Sequence, residues 1–262
     1  YAGVAVSGAV LSGTGTSLSF GSRTAGGLYT VIATNATTGC TTTMTGSANV
    51  IINALPIVYT ATGGGAYCSG GTGVAIGLNG SEVGVTYQLF RGTTAVGPML
   101  GTGAALNFGL FTTAGSYTIV ATNSTSGCSL NMSGSANVAI NPLPTAFAVT
   151  GGGSYCVGGT GVNVGTTGSV VGFTYQLWLS TTLVDAAPGT GSAIDFGPQT
   201  AAGFYTVVAI DNTTTCSANM TGSATVVINP LPVVRTVTGG GAYCSGDAGV
   251  AIGLDGSAVG TS

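Results

Sequence analysis

Apolar and polar residues alternate in short runs along this chain, and Gly- and Asn-rich turns separate the runs. Alternation with a period of two is typical of β-strands that are buried on one face, and no stretch has the period of a helix. Over residues 57–144 the pattern predicts six strands: IVYTAT from Ile57, GVAIGL from Gly73, VTYQLF from Val85, ALNF from Ala105, SYTIVATN from Ser116 and ANVAIN from Ala136. Strands of this length and spacing favour an all-β sandwich or barrel.

The alternation also predicts which side chains form the core. One face of each strand is apolar, and burying each such side chain contributes roughly 1.5 to 3 kcal/mol, so a dozen can hold a small module together without a cofactor. We interpret Tyr175 in the same way as its counterpart Tyr87, as a core residue. The predicted core of residues 57–144 is Val74, Ile76, Leu78, Tyr87, Leu89, Leu106, Phe108, Tyr117, Ile119, Ala121, Val138 and Ile140.

The same module recurs along the chain. GGGAYCSGG begins at Gly63, GGGSYCVGG at Gly151 and GGGAYCSGD at Gly239, at intervals of 88 residues. Repeats at a fixed period indicate an array of one structural unit. We therefore predict complete modules at 57–144 and 145–232, with the C-terminal part of a module at 1–56 and the N-terminal part of another at 233–262.

The two termini fit the same register. GSAVGTS, which ends at Ser262, aligns with the residues before Tyr87, and Tyr1 takes the place of that tyrosine. We expect the sequence to be a window on a longer polymeric repeat. If instead it is a separate subunit, the split modules at its ends predict a filament in which neighbours complete each other by strand addition.

The composition argues against several classes of function. Only 3% of residues are charged, the net charge is −3, and the three cations are arginines. A chain without a basic stripe is not expected to bind nucleic acid. Every apolar run is shorter than a membrane span requires. The chain has no histidine, and its six acidic residues do not recur in all repeats, so we expect neither an enzyme nor a metal or cofactor site.

The repeated motifs resemble a known family. YCxGG before a V-x-I-x-L strand, then TYQL, AGxYTxVATNxTTGC and a closing NPLP are similar to the tandem immunoglobulin-like modules of giant secreted surface proteins of Bacteroidota. The resemblance implies tandem immunoglobulin-like sandwiches, export to the cell surface and a role in adhesins or fibres. It also implies a tyrosine corner at Tyr29, Tyr117 and Tyr205. The chain departs from antibody domains in lacking a repeated tryptophan and in the positions of its cysteines.

Six cysteines at fixed register in an exported protein indicate disulfides. They are Cys40, Cys68, Cys128, Cys156, Cys216 and Cys244. Pairing within modules joins 68 to 128 and 156 to 216, and leaves Cys40 and Cys244 for neighbouring stretches of the polymer. Pairing between modules joins 68 to 216 or 128 to 156. If Cys68 lies in a turn before the second strand, the first scheme places bonded cysteines at opposite ends of a sandwich, so both schemes stay open.

Two functions follow from these features. The leading hypothesis is a structural repeat of a long, disulfide-stabilised extracellular filament or cell-surface adhesin, with neighbouring copies as partners. The alternative is an array that binds polysaccharide or another surface ligand. Its candidate contacts are Tyr67, Tyr155 and Tyr243 in the GGG-x-Y-C segment and Trp178, at whose register Phe90 lies. A tyrosine beside a cysteine is more often a cover for the disulfide.

Overall fold

The computed structural model describes residues 10–260, which form β-strands joined by turns, with no helix among them. These residues group into two compact units. The first comprises 10–66 and Thr72–Ala139, and the second comprises Tyr67–Gly71 and 140–260. The short segment Tyr67–Gly71 thus belongs with residues that begin about seventy positions further along the chain.

The first unit opens with four short strands: β1 Gly27–Tyr29, β2 Ile32–Thr34, β3 Thr41–Thr43 and β4 Ala48–Val50. β1 pairs with β4 and β2 pairs with β3, both antiparallel. These strands correspond in sequence to the last strands of a complete module. Gly27 pairs with Val50, just as Gly115 pairs with Val138 in the complete module. Most of their side chains are exposed.

Nine further strands follow: β5 Ala61–Gly63, β6 Gly65–Cys68, β7 Val74–Leu78, β8 Val85–Arg91, β9 Thr94–Leu100, β10 Leu106–Phe111, β11 Gly115–Asn123, β12 Ser129–Asn131 and β13 Ala136–Asn141. They form two sheets. One has the order β10-β7-β5, and the other has the order β6-β13-β11-β8-β9, with β12 paired to β11.

The second unit repeats this arrangement with β14 Val149–Gly151, β15 Gly153–Cys156, β16 Val162–Thr166, β17 Phe173–Leu179, β18 Thr182–Pro188, β19 Ile194–Gln199, β20 Gly203–Asp211, β21 Ser217–Asn219 and β22 Ala224–Asn229. Its sheets have the orders β14-β16-β19 and β15-β22-β20-β17-β18, with β21 on β20. Two last strands, β23 Val237–Gly239 and β24 Ile252–Leu254, pair antiparallel.

The hydrophobic core of the second unit lies between its two sheets. Val164 and Phe196 come from the three-stranded sheet, and Tyr175, Val207 and Val226 come from the larger one, all buried in one cluster. Two sheets packed over a common core make a β-sandwich. The strand order is that of an immunoglobulin-like domain, with strands A, B and E in one sheet and A′, G, F, C and C′ in the other. The predicted fold of tandem immunoglobulin-like β-sandwiches is confirmed, while the module bounds 57–144 and 145–232 stay a prediction.

Most of the predicted core is buried. Tyr87, Tyr117 and Tyr175 are at most 2% exposed, which confirms them as core residues. Val74 and Phe108 are half-buried. Ile140 is predicted to lie inside but is 42% exposed. It lies on β13 beyond Val138, the last residue there that pairs with β11, so the strand has passed the end of its inner neighbour.

Two strands in each unit lack a clear signal in the sequence. β9 and β18 contain Pro98 and Pro188, which interrupt the alternation. Proline is tolerated there because each strand forms an edge of its sheet, where the missing N–H is not required. β12 and β21 have only three residues, too few for a period to be recognised.

In the first two copies the GGG-x-Y-C segment ends in a strand, β6 or β15, so Cys68 does not lie in a turn before the second strand; residues 240–244 of the third copy are not in a strand. After β14 the chain leaves the smaller sheet, and after Gly152 it continues as β15 in the larger sheet, parallel to β22. All three glycines have positive φ, with values of 88°, 78° and 129° for Gly151, Gly152 and Gly153. Side-chain-bearing residues rarely adopt this conformation. The glycines therefore let one strand change sheets, which splits it into A and A′.

The crossing also passes close to the backbone of both sheets. A Cβ atom at Gly151 would overlap the carbonyl oxygen of Asn163 in β16, and one at Gly152 would lie 2.6 Å from the carbonyl oxygen of Thr225 in β22. In the first unit, a Cβ atom at Gly63 would overlap the carbonyl oxygen of Ala75, and one at Gly64 would lie 2.7 Å from the carbonyl oxygen of Asn137. No residue larger than glycine fits at these positions without displacing a strand. We name residues 151–153, with 63–65 in the first unit, the glycine crossing.

Replacing Gly152 by Ala is expected to destabilise the second unit by more than the roughly 1 kcal/mol that a positive φ costs alanine, because the methyl group also meets β22. The matched control is Gly158→Ala, since Gly158 has φ 82° and a methyl group there would have no other atom within 4 Å. Urea unfolding followed by the fluorescence of Trp178, the only tryptophan, reports on this unit. Equal losses in the two variants would contradict the steric explanation.

Candidate functional site

Strand β15 ends in the pair Tyr155 and Cys156. Its register with β22 places Gly153 beside Val226 and Cys156 beside Asn229, in parallel orientation. The N–H of Val157 then donates to the carbonyl of Asn229 at 2.9 Å, as the N–H of Ser69 does to Asn141. A backbone ladder therefore fixes the cysteine at the last position of the strand. Cys68 has the same place in β6.

The tyrosine of this pair packs on the turn that follows. A Cβ atom at Gly159 would lie 3.1 Å from the ring of Tyr155, and one at Gly71 would lie 3.3 Å from the ring of Tyr67. The Tyr155 hydroxyl donates to the carbonyl of Thr200. Successive side chains of a strand point to opposite faces, so the ring of Tyr67 and the sulfur of Cys68 leave β6 on opposite sides. The tyrosine is thus a packing residue of its own turn.

The other cysteine series lies in a loop after the F strand. In the second unit, Asp211 accepts hydrogen bonds from the N–H groups of Thr213 and Thr214, and the N–H of Asp211 donates to the carbonyl of Cys216 at 2.9 Å. The bonds from Thr213 and Thr214 to its carboxylate lower the pKa of Asp211. A short polar residue that bonds to the backbone two positions on is a standard turn former. The loop is therefore closed at both of its ends.

The two cysteine series meet in one disulfide. Cys68 and Cys216 are bonded, with a distance of 5.5 Å between their Cα atoms, and both belong to the second compact unit. This spacing is usual for a disulfide. Along the sequence, however, 148 residues separate the two cysteines, and they come from consecutive repeats. The bond is the reason why Tyr67–Gly71 groups with the residues of the next repeat.

Pairing within a module is absent from the structure, and strand direction explains why. Cys156 ends β15, which runs parallel to β22, whereas Cys216 follows β20, which runs antiparallel to β22. The two cysteines of one module are therefore at opposite ends of its sandwich. The nine residues of β20 span about 30 Å, far more than the 7 Å that a disulfide tolerates between Cα atoms. The scheme that pairs 68 with 128 and 156 with 216 is therefore wrong.

The four other cysteines carry free thiols in this structure. Cys40, Cys156 and Cys244 are exposed, and Cys128 is half-buried. Neither these residues nor any others in 10–260 form a group of three or more metal-binding side chains. Within the same residues, no helix has the length and apolar character needed to cross a bilayer. The alternative 128–156 pair across the linker is likewise not formed.

The residues predicted for tyrosine corners donate hydrogen bonds back to the chain. The hydroxyls of Tyr29, Tyr117 and Tyr205 reach the carbonyls of Ala25, Thr113 and Ala201, four residues earlier, at 2.8–2.9 Å. This bond is the defining feature of a tyrosine corner. Tyr117 and Tyr205 are buried, so each donor has a partner where water is excluded.

Two further core tyrosines accept hydrogen bonds from the backbone. The hydroxyl of Tyr87 accepts from the N–H of Glu82, and that of Tyr175 accepts from the N–H of Val170, both at 2.9 Å. Sequence patterns identify these residues as buried but give no sign of this role. Each hydroxyl ties the loop before the C strand to the core.

The candidate surface contacts are not brought together. Tyr67 and Tyr155 are half-buried and pack on their own turns, and Trp178 is half-buried on β17 with its indole N–H enclosed. Phe90, at the register of Trp178, is half-buried as well. Tyr243 alone has a largely exposed side chain, at 61%. These side chains do not form a ligand-binding platform within either unit.

The sequence matches no protein-family model and no curated protein sequence. Among solved structures, the human OSCAR ligand-binding domain is 11% identical at a TM-score of 0.30, over 66% of this chain and 100% of that one. Fibronectin(III)-like modules of Clostridium thermocellum CbhA are 10% identical at 0.33, over 64% and 95%. The Bacteroides ovatus glucan-utilisation protein SGBP-B, solved with a mixed-linkage heptasaccharide, is 15% identical at 0.22, over 85% and 58%. Similarity at this level assigns no ligand or activity to this chain.

Tyr205→Phe is expected to lower the free energy of unfolding of the second unit by about 0.5 to 1.5 kcal/mol, because it removes the hydrogen bond from the Tyr205 hydroxyl to the carbonyl of Ala201. Tyr243→Phe removes an exposed hydroxyl and should change stability by less than about 0.5 kcal/mol. Urea unfolding monitored at Trp178 compares the two variants. Indistinguishable midpoints would refute a stabilising corner at Tyr205.

A second expectation concerns pH. Burial disfavours the phenolate and raises the pKa of Tyr205 above its ordinary value of about 10. Tyrosines of the unfolded chain ionise first, so this contribution to stability is complete below about pH 10 and is lost as the pH rises through the folded-state pKa. Unfolding curves between pH 8 and 11 should show this loss in the parent chain and a smaller one in Tyr205→Phe. An identical slope in both would exclude Tyr205 as its source.

Proposed function

We propose that this chain is a structural segment of a long extracellular fibre or cell-surface adhesin, in which immunoglobulin-like repeats are bonded covalently to their neighbours. The observation that carries the proposal is the Cys68–Cys216 disulfide, which joins consecutive repeats of the sequence. A bond inside one sandwich stabilises only that sandwich. A bond from one repeat to the next holds the array together even when the intervening chain is pulled.

The bond and the surface both favour a location outside the cell. Disulfides persist in oxidising compartments and are rare in the cytosol. With 3% charged residues, the exposed positions are largely Thr, Ser, Asn and Gly, which provide little electrostatic repulsion between neighbouring copies. Such a surface suits a protein that associates with copies of itself.

The polysaccharide-binding alternative has weaker support. Its candidate aromatic side chains at 67, 155 and 178 are half-buried, and the hydroxyl of Tyr155 is bonded to the chain. A binding platform instead requires exposed faces of aromatic rings. We therefore favour the structural role over polysaccharide binding.

The location and the continuity of the chain are tested on cells that express the protein. Antibodies against residues 57–232 should label intact cells or fibres attached to them. A reduced denaturing gel of the surface fraction then separates two forms of the fibre, since separate subunits run near 25 kDa and a continuous polymer runs far above it. Labelling that requires permeabilised cells would overturn the proposed function.

Mechanical pulling tests the role of the disulfide. With Cys68–Cys216 intact, the chain between the two cysteines, which are 148 positions apart, cannot extend under load. At about 3.4 Å per residue, the fully stretched chain should be about 500 Å shorter than in Cys68→Ser or under reductant. Single-molecule extension of the 262-residue chain measures the difference. Cys156→Ser is the matched control and should extend like the parent, and equal lengths in all three chains would show that the bond does not form.

A further inference from the structure

We propose that the four unbonded cysteines are covalent bonding positions for another copy of the same module, and that each accepts only a cysteine of the opposite series. We call Cys68, Cys156 and Cys244 the strand cysteines, and Cys40, Cys128 and Cys216 the loop cysteines. The inference rests on the proposed function in that the partner is another copy of the same module.

The Cys68–Cys216 disulfide shows which cysteines pair with each other. It joins a strand cysteine to the loop cysteine of the repeat that follows it in sequence. For Cys156 and Cys244 the corresponding loop cysteines are not among the 262 residues, and for Cys40 and Cys128 the corresponding strand cysteines are not among them either. Only one bond of this kind can therefore form among these 262 residues, and it leaves four of their thiols unbonded.

The free strand cysteines are followed by the same hydrogen-bonded turn as the bonded one, although of the two only Cys156 also ends a strand. The N–H of Gly71 donates to the carbonyl of Cys68 at 2.9 Å, and Gly159 and Asp247 do the same for Cys156 and Cys244 at 2.9 and 3.0 Å. Cys68 is half-buried in its bond, whereas Cys156 and Cys244 are exposed. Their turns are already formed and their sulfurs lack the partner that covers Cys68.

The three loop cysteines also share one backbone hydrogen bond. The residue five positions earlier, Asn35, Asn123 or Asp211, donates its N–H to the carbonyl of the cysteine at 2.8–2.9 Å in all three loops. Bonded Cys216 is fully buried, Cys128 is half-buried and Cys40 is exposed. All three loops have the same hydrogen bond, but only the bonded cysteine is fully buried. Full burial of the loop cysteine therefore goes with the disulfide.

A partner within the same module is excluded by strand direction, as described for Cys156 and Cys216. The partner must then come from another repeat, in a second chain or in a longer stretch of the same one. If a second copy follows head to tail, its Cys40 occupies the position that Cys156 requires, and its Cys128 occupies the one that Cys244 requires. Each junction between copies then contains two disulfides, and all six cysteines of an interior copy are bonded.

The chemistry is thiol–disulfide exchange with a low-molecular-weight disulfide such as oxidised glutathione. The thiolate of Cys156 attacks one glutathione sulfur and forms a mixed disulfide, releasing one glutathione thiolate. The loop-cysteine thiolate of the second copy then attacks the Cys156 sulfur and releases the second. Two protein thiols are oxidised to one disulfide, and oxidised glutathione is reduced to two thiols.

Complementary variants of the full chain test the rule. The first, Cys156→Ser with Cys244→Ser, keeps free loop cysteines only, and the second, Cys40→Ser with Cys128→Ser, keeps free strand cysteines only. Both retain Cys68–Cys216, which peptide mapping verifies as the control for folding. After incubation with oxidised and reduced glutathione, we expect each variant alone to run near 25 kDa on a non-reducing denaturing gel. The mixture should run at about twice that mass and yield Cys156–Cys40 and Cys244–Cys128 peptides.

Two results would overturn the inference. One is a dimer of either variant alone to the same extent as in the mixture, since the cysteines would then pair without regard to series. The other is a mixture that stays monomeric although both variants contain Cys68–Cys216. Surface labelling of cells is independent of both results, so the proposed function can stand while this inference fails.

Discussion

The close approach of the glycine crossing to two strands is the constraint on which the rest of this architecture depends. At Gly151 and Gly152 the chain passes against the backbone of Asn163 on one side and Thr225 on the other, with no room for a side chain. Because the chain can pass there, the first strand of the sandwich divides between the two sheets. Its second half then runs parallel to the last strand, and this direction decides at which end of the module the cysteine lies.

The position of that cysteine determines the covalent pattern. Strands A′ and G end together, while strand F runs the other way, so the strand cysteine and the loop cysteine of one module are held a full strand length apart. A disulfide is short-ranged and cannot bridge that distance. The strand cysteine is left to bond with a loop cysteine of another repeat, as Cys68 does with Cys216. Cross-linking between repeats is thus a consequence of topology.

The modules themselves are held by buried tyrosines rather than by charge. Four of them are at most 2% exposed, and each hydroxyl has a backbone partner, as a donor at 117 and 205 and as an acceptor at 87 and 175. Each ring provides a large apolar surface for the core, and its bonded hydroxyl avoids the cost of burying an unsatisfied polar group. Loops next to the core are fixed by the same residues. A module built in this way needs few charged side chains, in agreement with the composition.

By itself the sequence determined the β-class, the repeat and the buried face of most strands, because period-two alternation and recurrence are local properties of the chain. The corner tyrosines were predicted only through the resemblance to immunoglobulin-like modules. The sequence did not reveal that Gly63–Gly65 connect two sheets, that Tyr67 and Cys68 end a strand, or that Ile140 lies beyond the end of β11. It also left the disulfide pairing open between two schemes. Only the tertiary structure decided these points, because they depend on which strands are neighbours and in which direction each one runs, and a local pattern of apolar residues contains neither.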